Sequence, residues 1–258
     1  MKYIDIHSHL NFGDYAEDWD AVIQRLVDTE TGTIVVGTDL ESSQKAVEIA
    51  EKYDNIWACI GVHPVDDVTK TFEKEKFEEL VKSPKVVVIG ECGLDYFHAD
   101  KNDAVEIERQ KKLFIDQIEF AVEHDKPIMI HSRSAYPELL LILEEQKEKY
   151  GEKLRGDVHF FAGTLEEANQ FIKLGFTLSF TGVITFARNY DEVVKNVPLE
   201  FIMSETDAPF VSPAPYRGKR NEPSYVIEVV KKIAEIRGED FDTVQKTLLS
   251  NAERVFGI

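Results

Sequence analysis

Five of the seven histidines stand at the ends of short, β-prone apolar runs. His7 and His9 follow Tyr3–Ile6, His63 follows Ile56–Ile60, His131 follows Ile128–Ile130, and His159 lies in Asp157–Phe160. His98 and His124 have no such placement. Residues i and i+2 of an extended chain point the same way. His7 and His9 can therefore aim two imidazoles at one point. Imidazole suits first-row transition metals, and carboxylates complete such sites. Glu91 follows the run Val86–Gly90, and Glu205 and Asp207 follow Phe201–Met203. Any one of these histidines alone reads first as a satisfied, partly buried side chain. The set, gathered at strand ends, reads as a metal site.

His7, His9, Glu91, His131, His159 and Asp207 make six candidate ligands. One zinc ion usually takes about four, so the set suits two ions roughly 3.5–4 Å apart. Glu91, at the end of a central strand, is the candidate bridging carboxylate. Such a pair lowers the pKa of a water from ~15.7 toward ~7, giving a hydroxide that attacks phosphorus or a carbonyl carbon. Asp207 is the candidate general base. Glu205 shares a strand face with Asp207 and either joins the site or forms an ion pair inside the fold. His63 and Arg133 stand at the same rim as candidate substrate-binding groups. Arg133 can grip a phosphate or carboxylate bidentately, with a surface ion pair as the alternative. Asp95 can orient a ligand histidine or cap a loop, and Asp39 reads as a helix N-cap.

These residues need a scaffold that brings distant strand ends together. Eight candidate strands are legible: Tyr3–Ile6, Thr33–Val36, Ile56–Ile60, Val86–Gly90, Ile128–Ile130, Asp157–Phe160, Phe176–Ser179 and Phe201–Met203. Helical stretches lie between them: Asp18–Asp28, Ser42–Tyr53, Glu73–Lys82, Ala104–His124, Tyr136–Tyr150, Leu165–Leu174 and Asp191–Asn196. Pro223–Arg237 and Asp242–Val255 follow the last strand. Strands alternating with helices argue for parallel βαβ units. Eight units predict an α/β fold, a (β/α)8 TIM barrel forming a single domain over residues 1–258. A doubly wound open sheet is the alternative. In a barrel the site lies at the C-terminal ends of the strands, where the candidate ligands fall.

Composition narrows the class further. No run of roughly 18 apolar residues is present, and the N-terminus lacks a basic segment followed by a long apolar one. Two cysteines, Cys59 and Cys92, stand outside any C-x-x-C pattern. A cytoplasmic protein is expected. The net charge of -18 argues against an extended nonspecific nucleic-acid footprint. It leaves room for a nucleic acid held locally by cations. Neither a nucleophile elbow nor a phosphate-binding glycine loop occurs. Cys92 reads as packing. The pairs Tyr96-Phe97 and Phe160-Phe161 can stack bases but read first as packing.

Several ordered motifs closely resemble those of the TatD family of metal-dependent hydrolases, within the amidohydrolase superfamily. They are Asp5-Ile-His-Ser-His-Leu10, Gly61-Val-His-Pro64, Gly90-Glu-Cys-Gly-Leu-Asp-Tyr96, Pro127-Ile-Met-Ile-His-Ser-Arg133, His159-Phe-Phe-Ala-Gly163 and Glu205-Thr-Asp-Ala-Pro209. Asn251-Ala-Glu-Arg-Val-Phe256 is similar to the family's closing helix. The resemblance implies a (β/α)8 barrel, one to three divalent ions and hydrolytic chemistry, often that of a 3′→5′ deoxyribonuclease. It implies His7, His9, Glu91, His131, His159 and Asp207 as metal ligands, with Glu91 bridging. His63, Arg133 and Glu205 match positions near the substrate or an additional metal. Magnesium or manganese is expected for nuclease activity, with zinc as the alternative. The sixth-strand motif departs from the family's usual His-Cys-Phe-Ser/Thr-Gly at Phe160 and Ala162, which bears on substrate fit.

Two enzyme readings follow. The first is a phosphodiesterase acting on DNA ends. The second is an amidohydrolase-type enzyme that cleaves an ester, lactone or amide of a small molecule. Related barrels often bridge their metals with a carbamylated lysine, and Glu91 at that strand end favours the nuclease. A non-enzymatic metal-binding scaffold is disfavoured by the complete ligand set. Neither a membrane nor an obligate protein partner is indicated.

Overall fold

The computed structural model describes residues 1–99 and 103–258. The apolar runs become eight parallel strands: β1 Tyr3–Ser8, β2 Thr31–Val36, β3 Ile56–Ile60, β4 Val86–Asp95, β5 Ile128–Arg133, β6 Gly156–Val158, β7 Phe176–Phe180 and β8 Ile202–Ser204. They pair in sequence order in one sheet. The helices are α1 Trp19–Asp28, α2 Leu40–Ala50, α3 Lys74–Leu80, α4 Ala104–Glu123, α5 Tyr136–Tyr150, α6 Leu165–Lys173, α7 Asp191–Asn196, α8 Val226–Arg237 and α9 Phe241–Phe256, with short 3-10 turns between. This is the expected (β/α)8 TIM barrel. Its strands are buried on both faces, as a helix-covered parallel sheet requires. One apolar layer joins strands to helices. A second fills the barrel with Ile4, Ile6, Ile34, Val36, Cys59, Met129 and Met203, against Ala252, Val255 and Phe256 of α9.

Element boundaries differ from expectation in two places that matter. β4 runs on through Asp95, because Cys92, Gly93, Leu94 and Asp95 pair with residues 130–133 of β5 after a register shift. A Cβ on Gly93 would lie 2.0 Å from the His131 carbonyl oxygen, so only glycine allows this close approach. β6 stops at Val158, leaving His159 and Phe160 in the turn beyond it. Asp39 is the N-cap of α2, as expected, in a reciprocal capping box with Ser42.

The barrel closes between β8 and β1 through the segment just past β8. The His9 amide donates to Ala208 O at 2.7 Å, and the Asp207 amide donates to His7 O at 2.9 Å. The buried Asp5 carboxylate reinforces this seam. It accepts from the Thr206 amide (2.7 Å), the Thr206 hydroxyl (2.6 Å) and the His7 amide (3.2 Å). Asp207 is thereby placed beside His7 and His9.

Helix α4 positions two more strand ends. Gln117 accepts from the Val62 amide at 2.8 Å and donates to Val62 O at 3.0 Å, one residue before His63. Gln110, two turns earlier on the same face, accepts from the Asp95 amide at 2.8 Å and donates to Asp95 O at 3.2 Å. Both glutamines are wholly buried. Removing one leaves buried backbone groups unpaired, at roughly 1–3 kcal/mol each. Gln117→Ala is therefore expected to lower the urea midpoint by an amount equivalent to about 2 kcal/mol or more, with the denaturant slope unchanged. A loss within about 0.5 kcal/mol would mean that the pairing does not hold the β3 end.

Candidate active site

The C-terminal mouth of the barrel gathers all five strand-end histidines around Glu91. The Glu91 carboxylate is buried, and its two oxygens face different groups. Oε1 lies 2.8 Å from His131 Nδ1, 2.9 Å from His159 Nε2 and 3.5 Å from His63 Nε2. Oε2 lies 3.4 Å from His7 Nε2 and 3.9 Å from His9 Nε2. Asp207 Oδ1 adds a second carboxylate, 3.5 Å from His9 Nε2 and 3.8 Å from His7 Nε2. The His7 and His9 Nε2 atoms are 3.2 Å apart, the convergence that the i, i+2 spacing predicted. Asp207 itself sits in left-handed backbone, φ 56°, in the closing segment.

Each imidazole meets a different group at its other nitrogen. His9 Nδ1 faces Val36 O at 3.1 Å, and His7 Nδ1 faces Met129 Sδ at 3.0 Å. His63 Nδ1 meets Asp66 Oδ1 at 2.8 Å. His131 Nε2 meets Asp95 Oδ2 at 3.2 Å. His159 Nδ1 lies 3.4 Å from Glu205 Oε1. Such rear contacts orient a ring and leave the other nitrogen's lone pair for a metal; the one at His159 is an ion-pair approach without a hydrogen bond.

The charges balance locally. Burial pushes Glu91 up, but His159, His63, His7 and His131 hold it well below the usual carboxylate range. Burial also pushes Asp207 up, and His9, His7 and His159 bring it down. His7 is lowered by burial and by His159, whose ring stacks on it at 3.9 Å. Buried nitrogen and oxygen donors set this close, with two anions among neutral or cationic rings, fit divalent ions. Three sets here each have ligand atoms within 4.8 Å of one another: His7, His9 and Asp207; His63, Glu91 and His131; and His7, His159 and Glu205.

The predicted substrate-binding residues are placed differently. His63 and Arg133 line a cavity of about 550 Å³ at the mouth, together with His9, Glu91, His131, His159 and Asp207. Arg133 makes no ion pair among the described residues. Its guanidinium lies 4.0 Å above the Phe97 ring. Glu205, expected beside the substrate or an additional metal, is wholly buried behind His159. Its Oε1 accepts from the Phe160 amide at 2.6 Å, and its Oε2 lies 3.0 Å from Ser179 Oγ. Phe160 takes φ 47° to present that amide, which puts its ring on the cavity wall. Phe161 is core, and Cys92 is buried with its thiol toward Met129 O.

Three supporting groups escaped the sequence reading. Asp5 holds the seam. Asp157 lies wholly buried under Glu205, sharing the Ser179 hydroxyl at 2.6 Å, and burial together with Glu205 pushes it up to about 7. His98 Nδ1 donates at 2.8 Å to the same Asp95 Oδ2 that meets His131. Only the spacing of His98, three residues after Asp95, gave any signal.

A TIM barrel with five histidines and two carboxylates clustered at its mouth fits a metal-dependent hydrolase. Comparison with known proteins agrees. Residues 4–257 match the family model described as TatD related DNase, and the chain belongs to the TatD family. It is 42% identical over 98% of each chain to "Uncharacterized metal-dependent hydrolase YabD" of Bacillus subtilis. It is 34% identical, again over 98% of each chain, to "3'-5' ssDNA/RNA exonuclease TatD" of Shigella flexneri. Among solved structures it is similar to the TatD homologue YjjV of Escherichia coli. That match has a TM-score of 0.89 at 30% identity and covers 100% of this chain and 98% of the other.

The Asp95–His131 contact carries a specific expectation. Partners that orient a ligand histidine typically contribute 10- to 100-fold in metal affinity. Asp95→Asn keeps the loop shape and weakens the acceptor, so it is expected to lower Mn²⁺ affinity about tenfold or more by calorimetric titration. Unchanged affinity would show that Asp95 only caps its loop.

Proposed function

We propose that the protein is a 3′→5′ exonuclease that hydrolyses phosphodiester bonds of DNA ends with two divalent ions, magnesium or manganese. The observation that carries this reading is the division of Glu91, with one oxygen toward His7 and His9 and the other toward His131, His159 and His63. That division suits a carboxylate shared between two ions. His7, His9 and Asp207 would hold one ion, and His131 and His159 would hold the other. His63 stands by the substrate or a third ion. The Shigella relative, an ssDNA/RNA exonuclease by name, extends the proposed substrate class to single-stranded DNA and RNA.

Bound there, divalent ions would supply a water of lowered pKa and charge to offset the phosphoryl oxygens. The protein's own groups do the rest. Asp207 lines the cavity, is held anionic by its histidines, and takes the proton of the attacking water. Arg133, which meets no carboxylate among the described residues, pairs with the non-bridging phosphate oxygens. Glu205 acts as a positioning residue, fixing the His159 ring and the Phe160 turn from behind. A cytoplasmic location is part of this proposal. The two cysteines, both buried and unpaired, support a reducing compartment. Among the described residues no helix is long and apolar enough to cross a membrane.

The test is degradation of 5′-labelled single-stranded DNA with Mg²⁺ or Mn²⁺. The expected result is a ladder shortening from the 3′ end, abolished by EDTA and restored by added metal. Asp207→Asn should slow it by roughly 10²–10⁴-fold, as for loss of a general base. A metal-loaded protein that leaves both DNA and RNA intact would overturn the assignment. Turnover of an ester, lactone or amide panel by that protein would place the chemistry at carbonyl carbon instead.

A further inference from the structure

Exposed phenylalanines are confined to the barrel mouth. Phe97, Phe186 and Phe210 are 60%, 40% and 51% exposed, and among the described residues no other phenylalanine is classed as exposed. Phe97 follows β4. Phe186 lies in the loop after β7, and Phe210 in the segment after β8. Two of the three carry an arginine over the ring. Arg133 lies 4.0 Å from the Phe97 centroid and Arg217 lies 3.5 Å from that of Phe186. These arginines are distinctive in a second way. Among the described residues, six of the nine arginines pair with carboxylates, and Arg254 bonds a backbone carbonyl. Arg133 and Arg217 meet neither. In a chain of net charge -18, an arginine without an anion among the described residues is unusual, and both such arginines sit over rings in loops past the strand ends.

The two stacks differ in reach. Arg133 forms part of the cavity wall, within the reading given above. Phe186 and Arg217 are outside its lining, on the same two loops, after β7 and after β8, as Tyr190, Phe210 and Val211, which belong to it. Their loops are clipped together, with the Ala214 amide donating to Thr185 Oγ1 at 2.8 Å. Asn221 holds Phe210 O at 2.6 Å and Thr206 O at 2.9 Å, tying this segment back to the seam. A guanidinium offers donors to a phosphate, and an exposed ring offers a face to a base. The chemistry that uses both is a nucleotide whose base is not paired. A duplex keeps its base faces inside the stack and cannot present them.

Resting on the nuclease reading, we propose that Phe186 and Arg217 form a remote nucleotide subsite, which holds an unpaired DNA or RNA strand several atoms beyond the reacting phosphodiester. The subsite adds affinity for long strands and is out of reach of short substrates.

The test compares substrates of different length on wild type, Phe186→Ala and Arg217→Ala, with full metal. The probes are bis(p-nitrophenyl) phosphate, the dinucleotide TpT, and oligothymidylate and oligouridylate of about eight nucleotides, within the span that single-strand sites commonly cover. For each variant the KM for the oligomers is expected to rise about tenfold at unchanged kcat, within the range for losing one stacked base. Hydrolysis of bis(p-nitrophenyl) phosphate and TpT should stay within about twofold of wild type. Loss of one phosphate contact should also reduce the salt slope of log KM by about 0.7 in Arg217→Ala. Fluorescence anisotropy with labelled oligothymidylate in EDTA should show the same tenfold weakening without turnover. Equal losses on short and long substrates, or an unchanged oligomer KM, overturn the subsite. A response to only one of the two oligomers would restrict it to that sugar. A wild type that cleaves none of the probes overturns the nuclease reading and this subsite with it.

Discussion

Everything at the mouth of this barrel is arranged around one buried anion. Glu91 lies with five imidazoles within 3.9 Å, on a strand that is buried along its whole length. A buried charge without partners is costly, and the same charge with matched partners becomes a fixed electrostatic centre. The barrel meets that requirement by bringing five strand ends to one place. Each ring is then held from behind by a different element: Val36 O of β2, Met129 of β5, Asp66 past β3, Asp95 of β4, and Glu205 past β8. Because the supports come from separate strands, the geometry of the centre is a property of the whole fold.

Two devices keep those strand ends in register. At the seam, Asp5 accepts three hydrogen bonds and sets Asp207 beside His7 and His9. On the flank, Gln110 and Gln117 of α4 replace missing ladder bonds at the ends of β4 and β3. Both devices are buried polar groups that are satisfied, the condition under which such groups specify structure. They lie behind the ligands and touch no solvent.

The order of strands and the identity of the clustered histidines were legible in the chain because both depend on short-range pattern. Apolar alternation marks a strand, and i, i+2 spacing puts His7 and His9 on one side. The supports were hidden because they join residues far apart. Asp5 pairs with Thr206, Asp157 meets Ser179, and Gln117 meets Val62, and no local period records such contacts. The extension of β4 to Asp95 depends on pairing with β5, which begins some thirty residues later. Glu205 shows the same limit in another form. Strand alternation set it beside Asp207, but the left-handed backbone at Asp207 ends the alternation. Glu205 then turns toward His159 and away from the cavity. Phe160, read first as packing, reaches the cavity wall because its amide is drawn to that same carboxylate. The strongly acidic composition said little about the mouth, where two arginines that meet no carboxylate among the described residues stand over phenylalanine rings.

The central claim is that Glu91 is shared between two ions, and anomalous diffraction from crystals soaked in Mn²⁺ tests it most directly. The account predicts two strong peaks flanking the Glu91 carboxylate, roughly 3.5–4 Å apart, one beside His7, His9 and Asp207 and the other beside His131 and His159. A single peak, or peaks that leave Glu91 uncoordinated, would contradict it.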